Sequence, residues 1–344
     1  MARIFICGDT GQTALLDHVA RTFADDGHDV VRGPADDAGQ LKCYTAAERA
    51  TLIDDADVAV FTTRHSCSRE LLAGAHRLRG VVYPVTGVET LDLDAARDLG
   101  IIVGHGAVPQ NIRGMAEATV MLIMMLFYDV EMNIARARRG EWRSARPTAR
   151  QLAGRTIGLV GFGRIAQEVA ALLASFGVRL LTCSPRTPTS VTGAIRNVDL
   201  QTLLRESDLV SLLTGLTAET RHMIGASELA LMKPDALIVN TSRGGVIDEA
   251  ALVEALRERR IAGAALDAFA TEPLPLDSPL RALDNVILTP HCVGHTVEGV
   301  AAIEPMLIEN INRILAGELP SVCKNPEVEP AWRARLARLR VGAH

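Results

Sequence analysis

The 344-residue chain is long enough for two domains, and 48% of its residues are apolar, so each domain can bury a core. Its 36 basic and 41 acidic side chains give a formal net charge of −5, and only 3% of its residues are aromatic. A mildly acidic chain with few aromatic rings has neither the net positive charge nor the aromatic content typical of nucleic-acid-binding proteins. We therefore expect no nucleic-acid partner.

The cysteine pattern and the N-terminal sequence favour a cytoplasmic protein. The six cysteines form no CxxC pair and no metal-ligand spacing, so we expect reduced thiols and no metal site. Met1–Gly8 enters a strand-like run directly, without the apolar stretch and cleavage site of a signal peptide. The most apolar run, Ala118–Tyr128, is too short to cross a bilayer, so we expect no membrane contact.

The first block of the chain alternates short apolar runs with helical stretches. This alternation predicts a parallel sheet covered on both faces, here a flavodoxin-like domain. The predicted strands are Ile4–Cys7, Asp29–Arg32, Val58–Phe61, Gly80–Val82 and Ile101–Val103. The predicted helices are Thr13–Asp25, Ala46–Asp54, Arg69–Ala75 and Leu93–Asp98.

A long helical segment is predicted next, from about Ile112 to Gly140. Its middle is apolar nearly all round, at Met121, Met124, Met125, Leu126 and Phe127. A core helix explains this composition most simply. The alternative is a helix that packs against a second subunit, and we predict a homodimer.

The second block repeats the alternation. Its predicted strands are Thr156–Val160, Arg179–Thr182, Leu209–Leu212, Leu237–Asn240, Gly263–Leu266 and Val286–Leu288. A helix is predicted over Glu298–Leu315, and the basic segment Trp332–Arg340 is interpreted as a solvated terminal helix.

The predicted fold class is α/β, with two Rossmann-like or flavodoxin-like domains built on parallel sheets. We predict that the cofactor domain is inserted into the substrate domain. Residues 1–107 and 296–330 would then form the substrate domain, residues 108–295 the dinucleotide-binding domain, and residues 331–344 a tail.

A glycine-rich loop indicates a dinucleotide site. Gly161, Gly163 and Ala166 have GxGxxG/A spacing directly after a predicted strand and before a helical run. The first glycine permits a tight turn, the second lets backbone approach a pyrophosphate, and Ala166 permits close helix packing. The helix N-terminus favours negative charge, so we expect Gly161, Gly163, Arg164 and Ile165 to bind the cofactor.

The end of the next strand bears on the choice between NAD and NADP. An NAD-preferring site usually has an acidic residue there, which holds the ribose 2′-hydroxyl. Here Ser184 stands at that position, and Arg186 follows with a charge that suits a 2′-phosphate. This pattern favours NADP, or the use of both cofactors, over NAD alone, although Arg186 could equally be a solvated loop residue.

Three polar side chains at strand ends suggest an active site. Arg243 follows a buried strand beside two glycines, Glu272 precedes a proline, and His291 follows Thr-Pro. Taken singly, Arg243 is most simply interpreted as a solvated loop residue, Glu272 as a turn residue and His291 as a structural residue. Together, in this order and after a dinucleotide loop, they predict an anion clamp and a proton donor with its tuning partner, and hence hydride transfer to a 2-keto acid.

The chain resembles the D-isomer-specific 2-hydroxyacid dehydrogenases. The resemblance is dense from about Leu152 to Asn325 and looser upstream, at Thr86–Asp92 and Met115–Glu117. Its motifs are Leu152–Ala166, Leu216–His222, Met232–Asp248, Asp267–Pro273 and Thr289–His291.

The resemblance implies a role for each residue of the triad. Arg243 would bind the substrate carboxylate and polarise the 2-keto oxygen, His291 would donate the proton, and Glu272 would hold and charge the imidazole. The other residues it implies are Thr214, Thr220, Asn240, Thr241 and Asp267 for the cofactor, and Arg64, Val85, Thr86 and Gly87 for the substrate. His105, His222 and His295 are interpreted as structural.

Departures of this sequence from the family's motifs limit the expected substrates, and two alternative functions remain. Tyr83-Pro84 stand where phosphoglycerate-using members carry a basic residue, so a smaller 2-keto acid such as glyoxylate or hydroxypyruvate is expected. Formate oxidation is disfavoured, because similar formate dehydrogenases have glutamine where this chain has Glu272. A dinucleotide-sensing protein like the corepressors built on this fold remains the alternative from another class.

Overall fold

The computed structural model describes residues 1–36, 40–144, 146–185 and 195–341. The chain divides into two compact units, the first formed by Met1–Asn111 and Val297–His344 and the second by Ile112–Thr296. Each unit is built on one parallel sheet with helices between the strands, and the second unit interrupts the first along the chain. The predicted α/β fold class is confirmed.

The first unit contains a five-stranded parallel sheet in the order β2-β1-β3-β4-β5. Its strands are β1 (Arg3–Ile6), β2 (Asp29–Arg32), β3 (Val58–Val60), β4 (Gly80–Val82) and β5 (Ile102–Gly104). Its first four helices are α1 (Thr13–Asp25), α2 (Ala46–Leu52), α3 (Arg69–Gly74) and α4 (Leu93–Leu99). Every residue of the three strands β3, β4 and β5 is buried, as expected for a sheet covered on both faces.

The second unit contains a seven-stranded parallel sheet in the order β12-β11-β10-β9-β6-β7-β8. Its strands are β6 (Thr156–Val160), β7 (Arg179–Cys183), β8 (Ile195–Asn197), β9 (Leu209–Leu212), β10 (Leu237–Asn240), β11 (Gly263–Leu266) and β12 (Val286–Leu288). The helices along this part of the chain are α5 (Pro109–Phe127), α6 (Val130–Arg138), α7 (Arg164–Leu173), α8 (Leu200–Glu206), α9 (Ala226–Leu231) and α10 (Glu249–Arg257). Strand β8 was not predicted.

The long helical segment predicted after the first block is two helices, α5 and α6, bent by 63°. The break lies at Asp129, whose φ of 51° is left-handed and cannot continue a right-handed helix. Within the described residues no single helix is long and apolar enough to cross a bilayer. The bent pair reaches that length and composition only when its two helices are taken together.

The helix predicted over Glu298–Leu315 is also divided, into α11 (Val297–Ala301) and α12 (Ile303–Ala316). Pro305 explains the division, because it has no N–H to bond the carbonyl four residues earlier. In the first turn of α12 that missing donor costs nothing. Gly317, with a φ of 80°, then ends the helix.

The interpretation of the terminal segment as a solvated helix is wrong. Helix α13 (Glu329–Val341) belongs to the first unit, and Trp332 on it is fully buried. The indole N–H of Trp332 donates to the carbonyl of Arg79 at 2.7 Å, and Arg335 Nε donates to the carbonyl of Leu78 at 2.7 Å. The buried face is one helical turn long, Trp332 with Leu336, which is why a sequence rich in arginine concealed it.

A buried aspartate holds the amino-terminal edge of each sheet. Asp57 Oδ2 accepts the N–H of Arg3 at 2.9 Å, and Asp208 Oδ2 accepts the N–H of Thr156 at 2.7 Å. Lys233 Nζ donates to the other oxygen of Asp208 at 2.9 Å. Burial opposes ionisation of Asp208, but the Thr156 N–H and the Lys233 ammonium outweigh it, so the pKa of this carboxyl lies below its usual value.

Candidate active site

The three predicted catalytic residues follow neighbouring strands of the second unit. Arg243 comes after β10, Glu272 after β11 and His291 after β12, and these strands are adjacent and parallel. The carboxyl ends of parallel strands meet at one edge of a sheet. The fold therefore brings the three loops to the same edge.

His291 and Glu272 form a direct pair. His291 Nδ1 lies 2.7 Å from Glu272 Oε2, and the other oxygen, Oε1, accepts the N–H of Phe269 at 2.9 Å. The His291 side chain is 41% exposed, so it can be reached from outside the protein. Because Nδ1 is engaged by the carboxylate, Nε2 is the ring nitrogen left to exchange a proton with a ligand.

The carboxyl of Glu272 is ionised at neutral pH. Burial raises its pKa, but the hydrogen bond and charge of His291, the N–H of Phe269 and the charge of Arg243 outweigh burial. The pKa of Glu272 therefore lies below its usual value. The ionised Glu272 is therefore an anionic hydrogen-bond partner for His291 Nδ1.

Asn240 forms the turn that carries Arg243. It is the last residue of β10 and is buried, and its Oδ1 accepts the N–H of Ser242 at 3.0 Å and the hydroxyl of Ser242 at 2.8 Å. Its Nδ2 donates to the carbonyl of Arg243 at 3.0 Å. We predicted Asn240 as a cofactor residue, and the structure shows its amide occupied by this turn.

Gly244 ties the Arg243 loop to the Glu272 loop. A Cβ atom at Gly244 would lie 1.9 Å from the carbonyl carbon of Phe269 and 2.4 Å from the nitrogen of Ala270. No side chain fits there, so the two backbones pack directly against each other. The N–H of the same residue, Phe269, bonds Glu272.

Asp267 anchors the loop that carries His291. This buried residue follows β11, and its Oδ1 accepts the hydroxyl of Thr289 at 2.7 Å and the N–H groups of Cys292 and Val293 at 3.0 and 3.2 Å. We predicted Asp267 as a cofactor residue, and these bonds give it a positioning role. Thr289 stands in the Thr-Pro-His motif, but sequence reasoning assigned it no role.

The glycine-rich loop has the geometry that a dinucleotide requires. Gly161 has a φ of 94°, and a Cβ there would lie 2.9 Å from the carbonyl oxygen of Leu213. At Gly163, by contrast, a Cβ would meet nothing within 4 Å, so a ligand has room to approach the backbone. Helix α7 begins at Arg164 without a side-chain cap, and buried Ala166 packs it against the sheet. These features fit a pyrophosphate at the helix N-terminus.

The loop also lies where open parallel sheets usually bind ligands. Strand β6 pairs with β7 on one side and β9 on the other, which makes its carboxyl end the switch point of the sheet. Thr214 follows Leu213 in the loop after β9, directly at this point. Thr220 closes that loop by donating to the carbonyl of Gly215 at 2.7 Å, and Thr241 Oγ1 lies 3.0 Å from Thr119 Oγ1.

Ser184 lies directly after β7, where an acidic residue would select NAD. Its backbone is held by Asn197 on β8, which accepts the Ser184 N–H at 3.1 Å and donates to the Ser184 carbonyl at 3.2 Å. Arg186 lies outside the described residues. The strand β8 that supplies Asn197 was missed because its sequence, Ile195-Arg196-Asn197, lacks the apolar run that marks the other strands.

The predicted substrate residues lie in the first unit, at the carboxyl edge of its sheet. Val85, Thr86 and Gly87 follow β4, and His105 Nδ1 lies 3.1 Å from the carbonyl of Thr86. A Cβ at Gly106 would lie 2.1 Å from the carbonyl oxygen of Pro84, so the loops after β4 and β5 are in backbone contact. The association of these residues with the triad of the second unit remains a prediction.

Arg64 is already engaged in an ion pair. Its Nη1 lies 3.2 Å from Oδ2 of Asp36, whose side chain is fully buried. Asp36 Oδ1 also accepts the N–H of Thr10 at 2.8 Å. Arg64 therefore lies at the carboxyl edge of β3 and β1 with part of its charge balanced, while 42% of its side chain stays exposed.

Comparison with known proteins identifies a family. A family model described as D-isomer specific 2-hydroxyacid dehydrogenase, NAD binding domain, matches residues 120–293. The D-3-phosphoglycerate dehydrogenase of Methanocaldococcus jannaschii is 37% identical over 290 residues, which cover 83% of this chain and 55% of that protein. The chain therefore spans about half the length of this relative.

Two further proteins match over most of both chains. The glyoxylate reductase of Thermofilum pendens is 37% identical over 285 residues, covering 80% of this chain and 83% of that protein. The solved structure of a glyoxylate reductase from Paecilomyes thermophila superposes with a TM-score of 0.79 at 26% identity, covering 95% of this chain and 98% of that chain.

The backbone contact at Gly244 predicts a sharp difference between two adjacent glycines. Gly244→Ala should destabilise the protein by roughly 3 kcal/mol, because backbone overlap cannot be relieved by rotating a side chain. The control Gly245→Ala meets only the ends of two flexible side chains, Leu216 at 3.2 Å and Arg221 at 3.6 Å, and should cost less than about 1 kcal/mol. Urea unfolding of both variants measures this, and equal losses would contradict the packing argument.

Proposed function

The chain belongs to the D-isomer-specific 2-hydroxyacid dehydrogenase family, and we propose that it reduces a small 2-keto acid to the D-2-hydroxy acid, or catalyses the reverse reaction. The matched model is the NAD binding domain of that family, so the cofactor is a nicotinamide dinucleotide. The observation that carries the proposal is the 2.7 Å pair of His291 and Glu272 at the same sheet edge as Arg243.

Each residue of the triad has a distinct task in the proposed reduction. A nicotinamide dinucleotide held at the glycine-rich loop would supply the hydride that C2 of the keto acid accepts. The Arg243 guanidinium binds the substrate carboxylate with its planar set of donors and polarises the 2-keto oxygen. His291 Nε2 gives its proton to the oxygen as negative charge develops there, and Glu272 stabilises the imidazolium before transfer. In the oxidative direction neutral His291 takes the proton back.

We propose glyoxylate or hydroxypyruvate as the substrate. The glyoxylate reductases among the similar proteins support a short keto acid. Tyr83 stands where phosphoglycerate-using members carry a basic residue, and it is fully buried, so it offers no charge to a phosphate. The D-3-phosphoglycerate dehydrogenase relative is matched over only 55% of its length.

Two other functions are less well supported. Formate oxidation in similar enzymes pairs the histidine with glutamine, whereas Glu272 here is an ionised carboxylate bonded to His291. A dinucleotide-sensing protein of the same fold would not need a proton donor. Turnover of a keto acid by the purified chain decides between the sensor and the enzyme.

Arg243→Lys should lower kcat/KM for glyoxylate and hydroxypyruvate at least about a hundredfold, because a single ammonium cannot reproduce the bidentate hydrogen bonding of the guanidinium. The measurement is the consumption of NADH or NADPH with each keto acid. Arg257→Lys, an exposed change on α10 of the same unit, should leave the rates unchanged. If the parent turns over neither keto acid, the proposed function is wrong. Near-parental rates in Arg243→Lys would exclude the proposed binding of the substrate carboxylate by Arg243.

Glu272→Gln should change the pH profile of reduction. Reduction should be slower and should depend on pH differently from the parent, because a neutral amide replaces the carboxylate that bonds His291 Nδ1. Glu249→Gln is the matched control, since Glu249 accepts the N–H of Ala270 at 2.9 Å in the neighbouring loop without bonding His291. Overlapping profiles for Glu272→Gln and the parent would exclude the tuning role.

We propose that NADPH is used at least as well as NADH, because no carboxylate stands at Ser184 to repel a 2′-phosphate. Ser184→Asp should reduce kcat/KM with NADPH at least about tenfold more than with NADH, through like-charge repulsion. Ser175→Asp adds the same charge at an exposed position after α7 and should leave the ratio unchanged. Arg186→Ala should weaken NADPH more than NADH. A strong parental preference for NADH would contradict the proposal.

We also propose a homodimer formed through α5 and α6. An apolar groove of about 520 Å³ on the second unit is lined by Met121, Met124, Tyr128 and Phe176, among others. Met121 is 44% exposed and Tyr128 is 45% exposed, which is more than a helix packed wholly in a core would leave in solvent.

Met121→Glu should give a monomeric mass by light scattering, whereas the control Leu276→Glu, at an exposed apolar residue elsewhere in the unit, should not. An unchanged mass for Met121→Glu would exclude this surface.

A further inference from the structure

We propose that the second unit carries an anion site at the amino-terminal edge of its sheet, which takes a small oxyanion of the phosphate type with two or more charges. The site, called here the basic pocket, is a cavity of about 750 Å³. Its charged and hydroxyl-bearing lining residues are Arg150, Arg155, Arg179, Lys233, Asp208 and Thr156.

The basic pocket is separate from the candidate active site. Arg155 and Thr156 lie at the start of β6, Arg179 is the first residue of β7, and Asp208 directly precedes β9. The triad and the glycine-rich loop follow the opposite ends of the same parallel strands. A strand of five residues spans roughly 15 Å, so a ligand in the pocket does not touch the catalytic groups.

The lining is strongly basic. Four cationic side chains face a single carboxylate, Asp208. Both oxygens of that carboxylate are occupied, Oδ2 by the N–H of Thr156 at 2.7 Å and Oδ1 by Lys233 Nζ at 2.9 Å. Asp208 therefore balances the ammonium, and its charge also interacts with that of Arg155, which leaves one carboxylate shared among several cations.

The carboxylates outside the lining balance the arginines only in part. Arg150 Nη1 pairs with Oδ2 of Asp235 at 3.1 Å. Arg179 Nη2 is 4.0 Å from Oε2 of Glu206, and that oxygen lies closer, at 2.8 Å, to another arginine of β8. Arg155 Nε donates to a backbone carbonyl at 3.4 Å, and the structure records no ion pair for it among the described residues.

Two features prepare the pocket for an oxyanion. Thr156 Oγ1 accepts from Nε and Nη2 of Arg179, at 3.2 and 2.8 Å, which orients a guanidinium whose side chain is 69% exposed. A guanidinium held in place loses less entropy when it binds a planar or tetrahedral oxyanion with two donors. Beside it, a Cβ at Gly154 would meet nothing within 4 Å, so the approach to the backbone is open.

The test uses inorganic pyrophosphate as the probe and isothermal titration calorimetry at constant ionic strength. The parent should bind one pyrophosphate per chain in a saturable manner, whether or not NADPH is present. Arg155→Gln combined with Arg179→Gln should raise the Kd for pyrophosphate at least about tenfold, because two charge-assisted contacts are lost. The matched control is Arg205→Gln on α8 of the same unit, where the guanidinium contacts only Gln201, at 3.2 Å.

The outcomes separate this site from the proposed catalytic function. Parental affinity in the double variant, or binding that NADPH abolishes, would overturn the basic pocket and assign the probe to the dinucleotide loop. Absence of saturable binding to the parent would overturn it as well. If the double variant unfolds, the single variant Arg155→Gln is used, because it breaks no ion pair. It should raise the Kd for pyrophosphate about threefold, and an unchanged Kd would overturn the proposal. Turnover of keto acids is expected to be the same in all these variants.

Discussion

Gly244 lies so close to Phe269 that a single added carbon would overlap the backbone at 1.9 Å. This contact connects the loops after β10 and β11, which carry Arg243 and Glu272. Because the N–H of Phe269 also bonds Glu272, a shift of either loop would change the orientation of the carboxylate that His291 depends on. The geometry of the triad therefore rests on a backbone contact that excludes every residue except glycine.

Two polar residues that we predicted to bind cofactor hold this scaffold together, and their contact with the cofactor remains a prediction. The Asn240 side chain forms the turn that presents Arg243, and Asp267 bonds three groups around His291. Asn240 ends a buried strand and Asp267 directly follows one, so their polar atoms need partners, and the nearest donors and acceptors belong to the catalytic loops. A sequence motif does not show whether a residue positions the catalytic loops or contacts a ligand, because both roles require the same residue at the same place.

The two edges of the second sheet have different chemistry for a simple reason. At the carboxyl edge, loops after adjacent strands converge and leave room for ligands. At the amino edge, Asp208 closes the start of β6 and needs a cation, which Lys233 provides. The arginines beside this pair make the edge basic, and our proposed anion site follows from that arrangement. The equivalent aspartate of the first unit, Asp57, is bonded to Arg79 and Arg77 instead.

The sequence by itself determined the fold class, the positions of nearly all strands along the chain and the family, and it predicted the glycine-rich loop as a dinucleotide site. Those features depend on local patterns: apolar runs of strand length, glycines at fixed spacing, and motifs in a fixed order. Roles for Arg243, Glu272 and His291 were predicted from the same patterns, and they remain proposals.

Only the tertiary structure decided the rest, because the deciding contacts join residues far apart in the chain. The His291–Glu272 distance depends on the register of β11 and β12, and the Gly244 contact on two separate loops. Helix α13 is held to the first unit by Trp332, whose indole bonds a carbonyl more than two hundred residues away, and no local pattern encodes that contact. Local preferences act over a few neighbouring residues, whereas packing selects among distant partners by shape and hydrogen bonding.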